Sequence, residues 1–434
     1  MKHDWWDRWL VQKKKYAGSG SPFIERDRFN SIVVGTGLPD INMHSTFRFK
    51  SAREGAERFR GVSIGGENPY ARIYTRLGNP NIEYLENVLV RLDCDHIIES
   101  ARTAGEEERV VRAIAFSSGL SALSMSVIAL TEPGDSILVG GTLYGGTTTM
   151  LKNIEKKFKV KVYTTDTTGA GNVAEAAARV PDLSLVLIET PDNPTLNVSD
   201  IRAIAEITEP RGIPLLVDNT FSTPYLQQPM RLGADIAIQS MTKYVSGHST
   251  CIGGVVVGPA EFVQKFLFPL FRDFGAVPSP FDSWLNSLTL QTMGRRIDVQ
   301  CANAAAIAAF LEKHPRVARV HYPGLESHPQ REVAKKQMLS GGAMVAFELR
   351  DGFEPAQKLM DYFARRDTPM ELAVSLGAVI SYIEHPASMT HAGVPKEERL
   401  QGGVTDDLVR VSVGIEGIST LIGALEAGLE IAYS

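Results

Sequence analysis

The stretch Ala237-Ile238-Gln239-Ser240-Met241-Thr242-Lys243 puts a lysine just past a short apolar run, with hydroxyl side chains three residues and one residue before it. A lysine at the end of a buried strand, beside hydroxyls that can bond phosphate oxygens, suits Schiff-base attachment of a phosphorylated aldehyde. The surroundings of that lysine decide the fold. Residues 113–116, 136–139, 185–188, 215–217 and 236–238 read as short buried strands, with 120–130, 151–158 and 201–207 as helices between them. This alternation predicts an α/β unit with a mostly parallel sheet and helices on both faces. Ligands in such sheets lie beyond the carboxyl ends of the strands, where Lys243 stands.

On either side the texture changes. Residues 1–78 are irregular, with Gly, Pro and Ser interspersed, and are expected to form an N-terminal arm that contacts a neighbouring subunit. Trp5, Trp6 and Trp9 are expected to pack on that partner rather than on a membrane surface. A helix is expected at 81–92, and 93–112, with its run Glu106-Glu107-Glu108-Arg109, reads as a solvated loop or helix end. Beyond 282, longer amphipathic segments such as 302–313 and short strands such as 343–348 predict a second, α+β domain. The expected division is an arm over 1–78, a lysine-bearing domain over 79–282 and a C-terminal domain over 283–434.

Composition narrows the function classes. With 44% apolar and 22% charged residues, the chain has the balance of a soluble globular protein. A net charge of -5, without clustered excess Lys and Arg, gives no case for a nucleic-acid partner. No run reaches membrane-span length, and the N-terminus lacks an apolar signal core, so no membrane partner is expected. Cys94, Cys251 and Cys301 lie far apart with no C-x-x-C spacing, which points away from disulfides and metal and towards a reducing, cytoplasmic setting.

The strand ends hold a set of polar groups. Ser117-Ser118-Gly119, between a strand and a helix, makes an anion-binding turn, since free N–H groups and the helix dipole converge there. Asp218 emerges at the end of its strand, where a carboxylate can keep a pyridine nitrogen protonated; Asn193 can reach a ring oxygen and Tyr144 can stack on a planar ring. Each has a plainer reading alone: Asp218 as a turn cap, Asn193 in a proline-bounded turn, Tyr144 as a structural aromatic. Together with Lys243 they point to a lysine-linked pyridoxal phosphate site. Ser240-x-x-Lys243 also matches the S-x-x-K of serine acyl hydrolases, but neither S-D-N nor K-T-G occurs. A non-catalytic scaffold is the remaining alternative.

Tyr74-Thr75-Arg76, Ser117-Ser118-Gly119, Tyr144-Gly145, Glu189-Thr190-Pro191, Val217 to Phe221, Ser240 to Tyr244, His385 to His391 and Leu408 to Glu416 carry a resemblance. The chain resembles the Cys/Met-metabolism family of pyridoxal-phosphate enzymes, which holds cystathionine γ-synthases and lyases, methionine γ-lyases and O-acylhomoserine sulfhydrylases. The resemblance implies the fold type I architecture of PLP-dependent transferases and a homotetramer built from dimers with shared active sites. It implies that Lys243 carries the cofactor and shuttles protons. Ser118, Gly119, Leu120, Ser240 and Thr242 would hold the phosphate, with Tyr74 and Arg76 of the neighbouring subunit. Tyr144 would stack on the ring and act as acid for the leaving group, and Asn193 and Asp218 would bind the ring. Ser375 and Arg410 would grip the α-carboxylate of a small amino-acid substrate.

Within the family, members acting on cystathionine tend to carry Glu before the serine of the Ser-Leu-Gly turn, whereas this chain has Val374-Ser375-Leu376-Gly377. Val374, and Arg272-Asp273 where methionine γ-lyases place Lys-Asp, resemble that branch, so both Val374 and Arg272 are expected at the substrate. Methionine γ-lyases typically have Cys where Gly146 stands, and the family usually shows Asp where Thr250 stands. The expected reaction is γ-elimination on a γ-substituted L-amino acid, releasing 2-oxobutyrate, ammonia and a thiol or other leaving group. The alternatives are γ-replacement on an O-acylhomoserine, or synthesis or cleavage of cystathionine.

Overall fold

The computed structural model describes residues 4–16, 22–35, 37–63, 72–105 and 110–434. Seven strands make the large sheet: β1 (Val111–Phe116), β2 (Ser136–Gly140), β3 (Lys161–Thr165), β4 (Leu183–Glu189), β5 (Leu215–Asp218), β6 (Ile236–Ser240) and β7 (Gly254–Pro259). Their order is β1-β7-β6-β5-β4-β2-β3. Strands β2 to β6 run parallel, and β7 turns back between β1 and β6. Leu185 and Leu187 enter one core while Val186 and Ile188 enter the other, so β4 is apolar on both faces, as a covered parallel sheet requires. Two strands had no expectation in the sequence. One of them, β3, lies at the sheet edge and is largely exposed, so it lacks the apolar run that marks the others.

The second sheet contains β8 (Val317–His321), β9 (Met344–Leu349), β10 (Met370–Leu372), β11 (Ser381–Glu384) and β12 (Leu408–Ser412), in the order β10-β11-β12-β9-β8. Helices Phe353–Phe363 and Ile418–Ala432 bring Leu359, Phe363, Leu421 and Leu425 onto Val345, Phe347, Val409 and Val411. Helix Met293–Glu312 belongs to both units: Met293, Ile297 and Cys301 enter the large core, and Ala304, Ile307, Ala308 and Leu311 the small one. The antiparallel pairing of β11 with β12 sets Glu384 directly opposite Arg410.

The N-terminal region departs from expectation. Instead of an irregular arm it contains helices Asp4–Tyr16, Arg26–Val34 and Ala52–Ser63. Its tryptophans pack on their own chain, not a partner: Trp5 lies 5.3 Å from Phe262, and Trp9 Nε1 donates to Asp235 Oδ1 at 2.9 Å. Trp5, Trp9 and Tyr16 recur on one helical face, so all three bury while Asp7, Arg8, Lys14 and Lys15 stay outside. Lys13 Nζ lies 2.8 Å from the same Asp235 oxygen, and Oδ2 accepts the Leu215 N–H at 2.9 Å.

The segment from 93, expected as a solvated loop or helix end, continues helix Pro80–Thr103, with one non-helical residue at Cys94. Two of its carboxylates, Asp93 and Asp95, lie in the interior. Asp95 pairs with Arg28 and Arg231, each at 2.7 Å. Glu106 to Arg109 lie outside the described residues. Asp93 has no exposed surface; Gln239 Nε2 donates to its Oδ2 at 3.0 Å, while Asp93 Oδ1 and Gln239 Oε1 have no partner among the described residues. Burial pushes the Asp93 carboxyl up to about 8. A carboxyl that keeps its proton can donate from Oδ1 to Gln239 Oε1, closing an acid–amide ring and satisfying both orphans. Among the described residues no helix is long and apolar enough to cross a membrane.

Candidate active site

The carboxyl ends of β4, β5 and β6, the turn after β1 and the segment 374–376 surround a cavity of about 410 Å³. Ser118, Gly119, Leu120, Tyr144, Asn193, Asp218, Ser240, Thr242, Lys243, Val374, Ser375 and Arg410 line it, as expected from sequence. Arg272, expected at the substrate, does not, and neither do Tyr74 and Arg76, which were expected in the cavity of a neighbouring subunit. Arg76 Nη1 donates to the Arg272 carbonyl at 2.9 Å, and its guanidinium lies over the Tyr74 ring. Arg272 is turned onto Asp273, with Nε 2.6 Å from Oδ1, because the neighbouring carboxylate neutralises it in place. In its own chain, then, Arg272 is not at the substrate cavity but in a separate cluster with Tyr74 and Arg76.

On the phosphate side, Ser118 caps helix Gly119–Leu130 by accepting from the Ser121 N–H at 3.1 Å. That leaves the Gly119 and Leu120 N–H groups without a hydrogen bond among the described residues, at the positive end of the helix. Ser240 crosses directly beneath: a Cβ at Gly119 would fall 2.8 Å from the Ser240 Cβ. Two free N–H groups beside the Ser240 and Thr242 hydroxyls fit a phosphate.

On the ring side, Asp218 Oδ1 accepts from the Thr220 N–H at 3.0 Å and from its hydroxyl at 2.5 Å. Thr220 Oγ1 in turn accepts the Ser240 N–H at 2.8 Å, which ties the acid to the lysine segment. No hydrogen bond reaches Asp218 Oδ2 among the described residues. Glu189 lies opposite Asp218 in the β4–β5 register and accepts from the Tyr144 N–H and the Thr147 hydroxyl. Burial raises both carboxyls; at Glu189 repulsion by the charge of Asp218 adds to the rise, and at Asp218 the bonds from Thr220 oppose it. A cationic N–H set against Asp218 Oδ2 would relieve that repulsion, so a protonated pyridine ring fits the site.

Lys243 Nζ donates to Ser375 Oγ at 2.8 Å. Burial, helped by the charge of Arg410 and opposed by Glu384, pushes its amine down to about 8, within range of proton exchange at neutral pH. Ser375 is held at φ 87°, a strained backbone for a residue with a side chain, and its carbonyl accepts from Arg410 Nη2 at 3.0 Å. Arg410 Nη1 donates to Asn193 Oδ1 at 2.7 Å. Sequence reasoning missed Thr147, Thr220 and Glu384 and gave Glu189 no role. Glu189 carried the same strand-end signal as Asp218; Glu384 enters only through the β11–β12 register.

A profile described as Cys/Met metabolism PLP-dependent enzyme matches residues 24–430. The chain belongs to that family. Pyridoxal phosphate is therefore its cofactor, and the protein is an enzyme of the same class as its relatives. The chain is 39% identical over 423 residues to an L-methionine gamma-lyase of Fusobacterium nucleatum subsp. polymorphum, covering 97% of this chain and 100% of that one. It is 40% identical over 357 residues to a cystathionine gamma-lyase of Dictyostelium discoideum, covering 82% and 87%. Among solved structures it is similar to cystathionine gamma synthase from Xanthomonas oryzae pv. oryzae in complex with aminoacrylate and cysteine, at TM-score 0.80 and 34% identity, covering 97% of this chain and 98% of that one.

Proposed function

We propose that the chain catalyses γ-elimination on a small γ-substituted L-amino acid, with methionine or a close analogue as substrate, releasing 2-oxobutyrate, ammonia and a thiol or other leaving group. The observation that carries this reading is Lys243, its amine pushed down to about 8, set between the ring acid Asp218 and the Ser375–Arg410 corner of one cavity. When bound, pyridoxal phosphate supplies an electron sink for charge developing at Cα. Lys243 removes the Cα proton and returns protons along the substrate. Asp218 and Asn193 fix the ring edge, while Ser118, Gly119, Leu120, Ser240 and Thr242 anchor its phosphate. Arg410 and Ser375 orient the α-carboxylate, and Tyr144, 45% exposed at the mouth, donates a proton to the leaving group.

Val374, 51% exposed on the cavity wall, offers an apolar contact and no charge for a distal amino group, which favours a small thioether over cystathionine. At Gly146 an added Cβ would run into the Tyr144 ring, so the absence of a side chain there leaves Tyr144 its place. The Tyr74–Arg76–Arg272 cluster lies outside its own cavity and is assigned to the cavity of a second subunit, within a cytoplasmic homotetramer of dimers.

The test is to incubate the holoenzyme with methionine, homocysteine, cystathionine, O-acetylhomoserine and canavanine, with and without thiol, and to quantify 2-oxobutyrate and thioether. Keto acid from methionine or an analogue is expected. Thioether from O-acetylhomoserine, with no keto acid from any donor, would establish γ-replacement instead. Lys243→Ala is expected to abolish the visible absorbance of the bound cofactor.

A further inference from the structure

Arg410 and Glu384 are both buried, 3% and 1% exposed, and Arg410 Nη2 lies 3.0 Å from Glu384 Oε1. The guanidinium does not have its full set of partners. Nη2 is shared between Glu384 and the Ser375 carbonyl, Nη1 is bonded to Asn193, and Nε has no partner among the described residues. A guanidinium holds a carboxylate in two-pronged fashion through its Nη1–Nη2 edge or its Nε–Nη2 edge. Nη2 belongs to both edges. A carboxylate docking from the cavity therefore arrives at the atom that Glu384 already occupies, and the orphaned Nε is the second prong it would find.

Glu384 is placed to yield. Thr390 Oγ1 donates to Oε1 at 3.1 Å, and Oε2 has no partner among the described residues. The charged and titratable groups facing it are Arg410 on β12, Lys243 beyond β6 and, through Thr390, His391, whose Nδ1 lies 3.1 Å from the Thr390 hydroxyl. We propose that the substrate α-carboxylate competes with Glu384 for Arg410, and that Glu384 is a positioning residue that holds the guanidinium between turnovers and takes up a proton when substrate displaces it. Two carboxylates on one buried guanidinium repel each other, and protonating the enclosed one removes that repulsion. Burial already raises the Glu384 carboxyl above its ordinary value, against the pull of Arg410, Thr390 and Lys243, so the proton is within reach. The inference rests on the assignment of Arg410 to the substrate carboxylate.

The probe is deamino-methionine, which keeps the carboxylate and thioether but has no amino group to react with the cofactor. Its binding to the holoenzyme is followed by calorimetry in buffers of different ionisation enthalpy, which counts protons taken up, and across the neutral to alkaline range. Wild type is expected to take up a proton on binding and to weaken by up to about tenfold per pH unit, the slope set by one linked proton. Glu384→Gln, which keeps a hydrogen-bond acceptor for Arg410, is expected to bind without proton uptake and with flat pH dependence; Glu384→Asp restores both. No uptake in wild type, or the same uptake in Glu384→Gln, overturns the role of Glu384 and would assign any proton to Lys243 or His391. If Arg410→Leu binds the probe as tightly as wild type, the carboxylate assignment itself fails.

Discussion

The acid–amide pair of Asp93 and Gln239 makes stability depend on pH in a way one substitution can isolate. The Asp93 carboxyl has an ordinary value of 3.8 and is pushed up to about 8 in the fold. Between those values the folded chain holds a proton that the unfolded chain has lost. Its contribution is thus fully present below the unfolded value, falls as pH rises, and is gone once pH passes the folded value. The slope is about 1.4 kcal/mol per pH unit, so at pH 7 the group has already cost up to roughly 4 kcal/mol. Asp93→Asn replaces the ring with a neutral amide pair, one N–H donated each way, that does not titrate. The assay is the thermal midpoint of holoenzyme, wild type against Asp93→Asn, from pH 6 to pH 9. The variant is expected to gain on wild type as pH rises towards 8, by on the order of a few degrees, and the gap to level off above it. A gap that does not change with pH would refute the protonated ring and mean that Asp93 is ionised with an unpaired oxygen.

Two further outcomes follow from other contacts. Trp9→Ala removes a fully buried ring and its bond to Asp235, and is expected to destabilise the enzyme by about 3–5 kcal/mol, read as a lowered thermal midpoint; an unchanged midpoint would mean that helix Asp4–Tyr16 is not docked. Oligomers assembled from equal amounts of Lys243→Ala and Arg76→Ala chains are expected to recover about a quarter of wild-type activity, the statistical share of intact sites in a two-fold dimer. No recovery above the Arg76→Ala chain alone counts against a shared site.

The site was legible in sequence where strand ends marked it. Asp218 follows a short apolar run directly, Asn193 and Lys243 stand five residues past theirs, and a parallel sheet gathers such positions at one edge whatever their spacing along the chain. Glu384 was not legible, because its meaning depends on which residue of β12 it faces, and that register is set by the fold and not by neighbours in sequence. The N-terminal helices and residues 93–103 were misread for a related reason. Gly, Pro and Ser suggested an irregular arm over 1–78, and the charges of 93–112 a solvated loop or helix end, but Asp95 and Asp235 are counterparts buried in the chain itself, and Trp5, Trp9 and Tyr16 share one face that local composition obscured. Arg272, chosen by resemblance, stands outside its own cavity because position in a family pattern does not say which subunit's cavity a residue serves.

Docking of helix Asp4–Tyr16 also sets a timetable. Trp9 and Asp235 are 226 residues apart, and Phe262 comes later still. During synthesis at the usual ribosomal pace the tryptophans therefore wait on the order of tens of seconds before their pocket exists. Through that interval three large indoles on one short segment stand open to chaperones or to other nascent chains. The yield of folded enzyme in a cell is then governed in part by a contact far from the chemistry, made only when the sheet that carries Lys243 has closed over its amino-terminal edge.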